Sequence, residues 1–216
     1  MLMNGKFFKD DICIVVQGPI DYVDNIIDTY KKFKNNVIIS TSKISNHNLQ
    51  YLSEKGFKLI NNELTVNPGR ANFNNQVKNT YEGVKKANEL GFKYVLKIRS
   101  DIFIDDLVEF INSLNKDTVY FPAYHNYDGG YLCDYMLFGP IDFMLKLWDI
   151  PLSNSNLPPE TQLTLKYLEI KNNDNLDFMF PILYSKKIKA YWPKHQKYLN
   201  EYQNDKLFIY DKNMIK

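Results

Sequence analysis

Short apolar runs alternate with amphipathic segments through the first half of the chain. The apolar runs lie at residues 11–16, 37–41, 57–60 and 92–98, and each has the length of a strand. Between them, apolar residues recur three or four positions apart, which is the spacing of a helix with one buried face. Strands that are apolar throughout are typical of a parallel sheet covered on both faces. The pattern therefore predicts an α/β fold with a mostly parallel central sheet flanked by helices.

The pattern loosens after Pro122. A Gly- and Tyr-rich loop at residues 124–130 precedes a short apolar run at 135–138, an amphipathic stretch at 143–148 and a further helix that starts near Pro158. These elements still fit the same α/β fold, but they predict a less regular second half.

The length of 216 residues suits one domain with a substantial core. We therefore expect a single domain over residues 1–216, divided by character into 1–121, 122–185 and 186–216. The last stretch is rich in aromatic residues and carries 8 lysines against 3 acids. Such a segment favours either peripheral contact with an anionic inner-membrane surface or a solvated, partly packed terminus.

Composition narrows the class of protein further. The net charge of +2 gives no general attraction to nucleic acid. Cys13 and Cys133, both in apolar surroundings, predict buried thiols in a reducing compartment rather than a disulfide framework. No apolar run reaches the ~20 residues of a transmembrane helix, and the first residues lack a signal-peptide core. We therefore expect a cytoplasmic protein.

The stretch Lys97-Ile98-Arg99-Ser100-Asp101 ends the apolar run 92–98 with a cluster of charge. Charged groups at the end of a buried strand are costly to leave unpaired, so a ligand, a metal or each other must neutralise them. An ion pair between Arg99 and Asp101 is the alternative to a functional site at this position.

Polar residues follow three of the predicted strands. Ligands of an open parallel sheet bind beyond the carboxyl ends of its strands, so these residues predict a nucleotide site. A polar loop at residues 61–72 precedes a helix start, and both add candidate ligand contacts. The candidates are Gln17, Gly18 and Pro19 after the first strand, Thr41 after the second, Arg70 and Asn75 around the loop, and Lys97, Arg99 and Asp101 after the fourth.

Several common chemistries are disfavoured. Glycine-rich dinucleotide and P-loop fingerprints are missing after the first strand. The sequence also has no nucleophile elbow of a serine hydrolase and no His/Cys cluster with zinc-ligand spacing.

The order of these motifs resembles the WavE family of lipopolysaccharide-synthesis proteins, over about residues 12–168. The resemblance implies a single-domain GT-A-like (Rossmann-like) fold and a glycosyltransferase that uses a nucleotide-sugar donor. Its acceptor would be a growing surface glycan, either lipopolysaccharide, lipooligosaccharide or capsule, or a lipid-linked form of one. The matching motifs are Val16-Gln17-Gly18-Pro19, Ile39-Ser40-Thr41, Asn67-Pro68-Gly69, Asn74-Asn75-Gln76, Lys97-Ile98-Arg99-Ser100-Asp101, the stretch from Asp134 to Gly139, and Pro159-Glu160.

The resemblance makes residues 1–121 the half that binds the nucleotide-sugar and 122–185 the acceptor side. It also places Arg99-Ser100-Asp101 where other GT-A enzymes carry Asp-x-Asp. Two mechanisms follow from the missing first carboxylate. Asp101 holds Mg²⁺ or Mn²⁺ through fewer protein ligands, or Arg99 and Lys97 neutralise the leaving phosphate directly. We expect the metal.

Inverting transfer requires a general base near the acceptor hydroxyl. Asp134 is the first candidate and Glu160, at a predicted helix start, is the second. Two alternative functions use the same sequence features: a transferase for another phosphate-containing group, and a non-catalytic glycan- or nucleotide-binding component of a polysaccharide-assembly complex.

Overall fold

The structure is a computed structural model, and it describes residues 10–114, 119–120, 124–125, 131–174 and 188–190. Nine strands and six α-helices lie in these ranges. The strands are β1 (Ile12–Gln17), β2 (Val37–Thr41), β3 (Lys58–Asn61), β4 (Tyr94–Arg99), β5 (Ile102–Ile104), β6 (Tyr124–His125), β7 (Tyr131–Leu132), β8 (Met136–Pro140) and β9 (Ile188–Ala190). The helices are α1 (Val23–Tyr30), α2 (Asn46–Glu54), α3 (Phe73–Glu89), α4 (Leu107–Ser113), α5 (Ile141–Trp148) and α6 (Pro159–Asp174).

The central sheet has five strands in the order β3-β2-β1-β4-β8. The first four are parallel to one another, and β8 pairs antiparallel with β4 at the edge. All six residues of β1 are buried, as expected for a central strand covered on both faces. The predicted α/β fold with a mostly parallel sheet is confirmed.

Alternate residues of β1 point into two separate cores, because side chains of a strand alternate between its faces. Ile14 and Val16 pack in a core with Ile26 of α1 and Phe110 of α4. On the other face, Val15 shares a core with residues of α3, α5 and α6. Helices therefore cover both faces of the sheet, and its carboxyl edge is left for a site.

Some predicted elements differ in extent from the observed ones. The helix predicted after the first strand ends at Tyr30, and a 3₁₀ helix (Lys31–Asn36) continues it. The short apolar run at residues 119–121 also favours a strand, and within it Tyr120 forms an isolated bridge to Phe138, while residue 121 lies outside the described ranges.

The segment 186–216 contributes a strand that the sequence did not indicate. β9 pairs antiparallel with β5, the strand that directly follows the charged stretch at the end of β4. The rest of the aromatic segment lies outside the described residues, so its predicted membrane contact is untested. Over the described ranges, none of the helices combines the length and apolar character needed to cross a membrane. Cys13 and Cys133 are buried free thiols, as predicted.

Gly83 sets how closely α3 approaches the sheet. A Cβ at this position would lie 2.5 Å from Val15 Cγ1 and 3.2 Å from Ser40 Cβ. Alanine normally stabilises a helix interior relative to glycine by about 1 kcal/mol. Here we expect the opposite: Gly83→Ala overpacks the interface of α3 with β1 and β2, and lowers the free energy of unfolding by about 1–3 kcal/mol.

Urea denaturation measures this effect. Asn88→Ala, at an exposed position of the same helix, is the matched control and should change the free energy of unfolding by less than about 0.5 kcal/mol. A Gly83→Ala protein more stable than wild type would show that α3 does not need this close approach.

Candidate functional site

A cavity of about 530 Å³ opens at the carboxyl ends of the central parallel strands. Its volume falls in the range of small-molecule sites. β1 is the switch point of the sheet, because β2 and β3 lie on one side of it and β4 on the other. The wall is formed by Gln17, Gly18, Pro19, Asp21 and Tyr22 after β1, Ser42 and Lys43 after β2, Leu64, Ala71, Asn72, Asn75, Gln76 and Asn79 around the start of α3, and Arg99, Ser100 and Asp101 after β4.

The turn after β1 is locked against the end of β4. Ser100 donates its backbone N–H to Gln17 O (2.8 Å) and its hydroxyl to Pro19 O (2.6 Å). Gly18 has φ +130°, and a Cβ there would lie 2.6 Å from Ser100 Oγ. Only glycine fits both the backbone angle and the contact. The predicted Gln17-Gly18-Pro19 motif therefore forms a fixed wall of the cavity.

Gln17 offers an open hydrogen-bonding position in this wall. Its side chain is buried and lines the cavity, yet its Oε1 has no hydrogen-bond partner among the described residues. A buried polar atom without a partner is costly, so a ligand N–H or hydroxyl that bonds to it would be favoured.

The start of α3 forms the opposite wall, and its backbone is strained. Ala71 (φ 52°) and Asn72 (φ 61°) are both left-handed, a conformation that costs non-glycine residues free energy and is frequent at functional sites. The helix that follows, α3, has 17 residues. The positive end of its dipole lies at its N-terminus and stabilises an anion bound there. Asn75 Oδ1 accepts from Thr65 N (2.9 Å) and from its hydroxyl (2.8 Å), which fixes Asn75 at the wall.

Arg70 does not line the cavity. It is exposed, and its Nη1 donates to Asn156 O (2.7 Å), while Asn74 Nδ2 donates to Ser153 O (2.8 Å). These bonds tie the end of the predicted long loop 61–72 and the start of α3 to residues 150–158. The donor-binding role predicted for Arg70 stays a prediction, because Arg70 does not belong to the cavity wall.

Thr41 is also set back from the cavity. Its hydroxyl accepts from Lys43 N (3.0 Å) and donates to Lys43 O (3.2 Å), which shapes the turn after β2. The residues that follow it, Ser42 and Lys43, reach the wall instead. Ser42 accepts a hydrogen bond from Asn79 Nδ2 (3.1 Å). Thr41 thus positions wall residues rather than contributing to the wall.

Arg99 and Asp101 form a two-pronged ion pair at the end of β4. Nε donates to Oδ1 (2.9 Å) and Nη2 donates to Oδ2 (2.7 Å). The guanidinium also lies over the Tyr135 ring, 4.8 Å from its centroid. Burial by itself would lower the pKa of Arg99, but the hydrogen bonds and negative charge of Asp101 outweigh it and hold the pKa above its ordinary value. The ion pair between Arg99 and Asp101, which the sequence offered as the alternative to a functional site, is therefore present.

A divalent cation at Asp101 fits this arrangement poorly. Both carboxylate oxygens already accept from Arg99. A divalent ion bound to Asp101 would also lie close to the guanidinium of Arg99, whose like charge repels it. Over the ranges that the structure describes, no three His, Cys, Asp or Glu side chains come together as a metal-binding group. The predicted Mg²⁺ or Mn²⁺ site stays a prediction.

Lys97 lies too deep in the sheet to reach a ligand in the cavity. It is fully buried between Val15 and Leu137 of the neighbouring strands. Its Nζ donates to the backbone oxygen of Asp134 and lies 5.0 Å from the centroid of the Trp148 ring. Burial lowers the pKa of Lys97 to about 8, and the negative charge of Asp134 opposes that shift. The predicted phosphate contact of Lys97 therefore has no geometric support.

Asp134 lies just behind the cavity wall. Its side chain is 3% exposed, and its Oδ2 accepts from Gln76 Nε2 (2.6 Å). Gln76 is itself a wall residue, so one side chain separates this carboxylate from the cavity. Asp134 Oδ1 is buried and has no hydrogen-bond partner among the described residues.

Glu160, in the first turn of α6, belongs to the same charged group although it does not line the cavity. Burial raises the pKa of Glu160, and the charge of Asp134 raises it further, while Arg99 and Arg70 act in the opposite direction. A raised carboxyl pKa is the direction that suits a general base or acid near neutral pH. The structure therefore brings both predicted base candidates within electrostatic range of Arg99.

Several wall residues were not assigned a role by the sequence. Gln76 and Asn79 lie with Asn75 on the first turns of α3, and Asn72 directly precedes the helix. This run of amides at a helix start was the available signal. No local pattern marked the others, which are Asp21, Tyr22, Lys43, Leu64 and Ala71.

The fold and the cavity define an α/β protein with an open cavity at the switch point of a mostly parallel sheet. No protein-family model and no curated protein matches the sequence. The WavE resemblance is thus left as a prediction.

Solved structures of transferases have a similar general fold. A glycosyltransferase involved in glycosylation of the major capsid of PBCV-1 matches at TM-score 0.47 and 11% identity, covering 88% of this chain and 98% of that one. The 4-diphosphocytidyl-2C-methyl-D-erythritol synthase of Anaerococcus prevotii matches at TM-score 0.49 and 12% identity, covering 91% and 98%. The glycosyltransferase GlyE of Streptococcus pneumoniae matches at TM-score 0.47 and 12% identity, covering 89% of this chain and 60% of GlyE. None of these similarities identifies a substrate for this chain.

Proposed function

We propose that this protein is a glycosyltransferase that moves a sugar from a nucleotide-activated donor to a bacterial surface glycan. The observation that carries the donor class is the 530 Å³ cavity at the switch point between β1 and β4. Polar side chains, the positive end of α3 and the guanidinium of Arg99 meet there, and this combination suits a nucleotide with its phosphates. The surface glycan as acceptor follows from the WavE resemblance.

Within this proposal, the nucleotide contacts Gln17 and the turn after β1, and its phosphates lie between Arg99 and the start of α3. In an inverting reaction, the acceptor hydroxyl oxygen bonds to the anomeric carbon as the bond from that carbon to the phosphate oxygen breaks. The electron pair goes to the phosphate oxygen of the leaving nucleotide, which is a nucleoside diphosphate or CMP. The hydroxyl proton goes to a carboxylate, which we assign to Asp134 with Glu160 as the second candidate; for Asp134 this requires the Gln76 side chain, which separates it from the cavity, to move aside.

Ligand-induced thermal stabilisation tests the donor class. We expect one of UDP, GDP, CDP, TDP or CMP to raise the melting temperature, because a ligand that binds only the native state stabilises it, by about 2.7 kcal/mol at a concentration of 100 Kd. Gln17→Ala should reduce this shift, since it removes an unpartnered wall acceptor. A melting temperature that no nucleotide moves would contradict the proposal and leave a non-catalytic role in glycan assembly.

A further inference from the structure

Asp101 occupies only part of the hydrogen-bonding capacity of Arg99. A guanidinium has five N–H donors, and Asp101 takes one from Nε and one from Nη2. Three donors are therefore not used by Asp101. The side chain lines the cavity and is about a quarter exposed. The ion pair and the Tyr135 ring fix its orientation before any ligand binds.

The charges of the cavity wall make Arg99 distinctive. Of the described residues that form the wall, Lys43 and Arg99 are the cations, and Lys43 is solvent-exposed. A preorganised, partly desolvated guanidinium is the stronger partner for a phosphate, because its fork matches two phosphate oxygens and its charge is less screened. Asp101 neutralises part of that charge, and this is compatible with a guanidinium held in place for an anion.

We propose that Arg99, oriented by Asp101, takes the place of a divalent cation at the donor phosphates, so that nucleotide binding needs no metal. This inference rests on the proposed function, since it concerns the phosphates of the same donor. Asp101 then acts as a positioning residue and not as a metal ligand. The sharing of both Asp101 oxygens with Arg99 and the poor fit of a cation there are its basis.

Calorimetric titration with UDP, GDP, CDP and TDP, each in EDTA and in Mn²⁺, tests the proposal on the unmodified protein. We expect the Kd of the nucleotide that binds to agree within about threefold between the two conditions. Binding that occurs only with Mn²⁺ overturns the metal-free inference and leaves the proposed function standing. A protein that binds none of the four in either condition, and whose melting temperature CMP does not change, overturns both.

Variants separate the roles of the two side chains. Arg99→Gln should weaken nucleotide binding by about 10- to 100-fold in EDTA, as expected for a lost charge-assisted hydrogen bond. Arg99→Lys should weaken it as well, because an ammonium cannot reproduce the fork. Asp101→Asn should cause a smaller loss, because the charge of Arg99 is retained.

The combined variant Arg99→Gln/Asp101→Asn leaves neither charge unpaired, so it provides a folded comparison if Arg99→Gln is unstable. Lys85→Gln, an exposed position on α3, controls for the change in net charge. Unchanged affinity in Arg99→Gln together with loss in Asp101→Asn would overturn the proposal, because that is the pattern of a metal carboxylate.

Discussion

Asp134→Asn is expected to lower kcat for release of nucleoside diphosphate from the matching nucleotide-sugar by about 10²- to 10⁴-fold, the usual contribution of a general base. The asparagine amide has the shape of the aspartate carboxylate and can still accept the hydrogen bond from Gln76 Nε2, which is 2.6 Å long in the wild-type protein. Nucleotide affinity and the fold should therefore be retained. The substitution removes the ability to take a proton and also a negative charge near the buried Lys97, so a loss of stability accompanies the loss of kcat.

Asp105→Asn, an exposed position after β5, is the matched control and should leave kcat unchanged. A kcat for Asp134→Asn within about threefold of wild type would show that Asp134 is a buried structural carboxylate. Glu160→Gln is then the decisive variant. A loss there of the size expected for a general base would assign the proton transfer to Glu160.

Lys97→Met is expected to change how stability depends on pH. The pKa of Lys97 is lowered by burial to about 8 in the folded protein, against 10.5 for an ordinary lysine. Below about pH 8 both states carry the proton, and the folded state bears the full cost of the buried charge. Between about 8 and 10.5 the unfolded chain binds more protons, so raising the pH stabilises the folded state.

The stability of wild type relative to Lys97→Met should therefore rise by on the order of 2 kcal/mol between pH 7 and pH 9.5. Urea denaturation at the two pH values measures it. Burial also raises the pKa of Cys13, Cys133 and Tyr135, so ionisation of these groups works against folding at high pH. Both proteins contain them, so their effect largely cancels in the difference.

Lys85→Met, at an exposed position, should show no such pH dependence relative to wild type. A flat difference between wild type and Lys97→Met would mean that Lys97 titrates alike in the folded and unfolded states. The cost of burying its charge would then be smaller than its position in the sheet suggests.

The side of the sheet on which a charged residue lies was predictable, but its depth was not. Side chains alternate along a strand, so Lys97 and Arg99, two positions apart, lie on the same face of β4, as the sequence predicted. Two residues along a strand span about 7 Å, however, and that distance separates a buried position from the strand end. Lys97 thus lies under Trp148, while Arg99 emerges into the cavity.

The contacts of Asp101 and Asp134 show a second limit. β4 ends at Arg99, so the strand alternation does not extend to Asp101, and the turn brings it back to bond with Arg99. Gln76 and Asp134 are 58 positions apart, and their bond exists because α3 and the residue before β8 meet beside the cavity. The sequence carries no local signal for such a pair.

The sequence by itself determined the class of fold, the positions of the parallel strands and the polar residues at their carboxyl ends, because apolar periodicity and strand-end chemistry are local properties of the chain. The tertiary structure decided which of those polar residues share a cavity, which neutralise one another, and that β9 pairs with β5. These outcomes depend on distances between elements that are far apart in the chain. These distances place Arg99 at the cavity wall, Lys97 in the core, and Asp134 directly behind the wall.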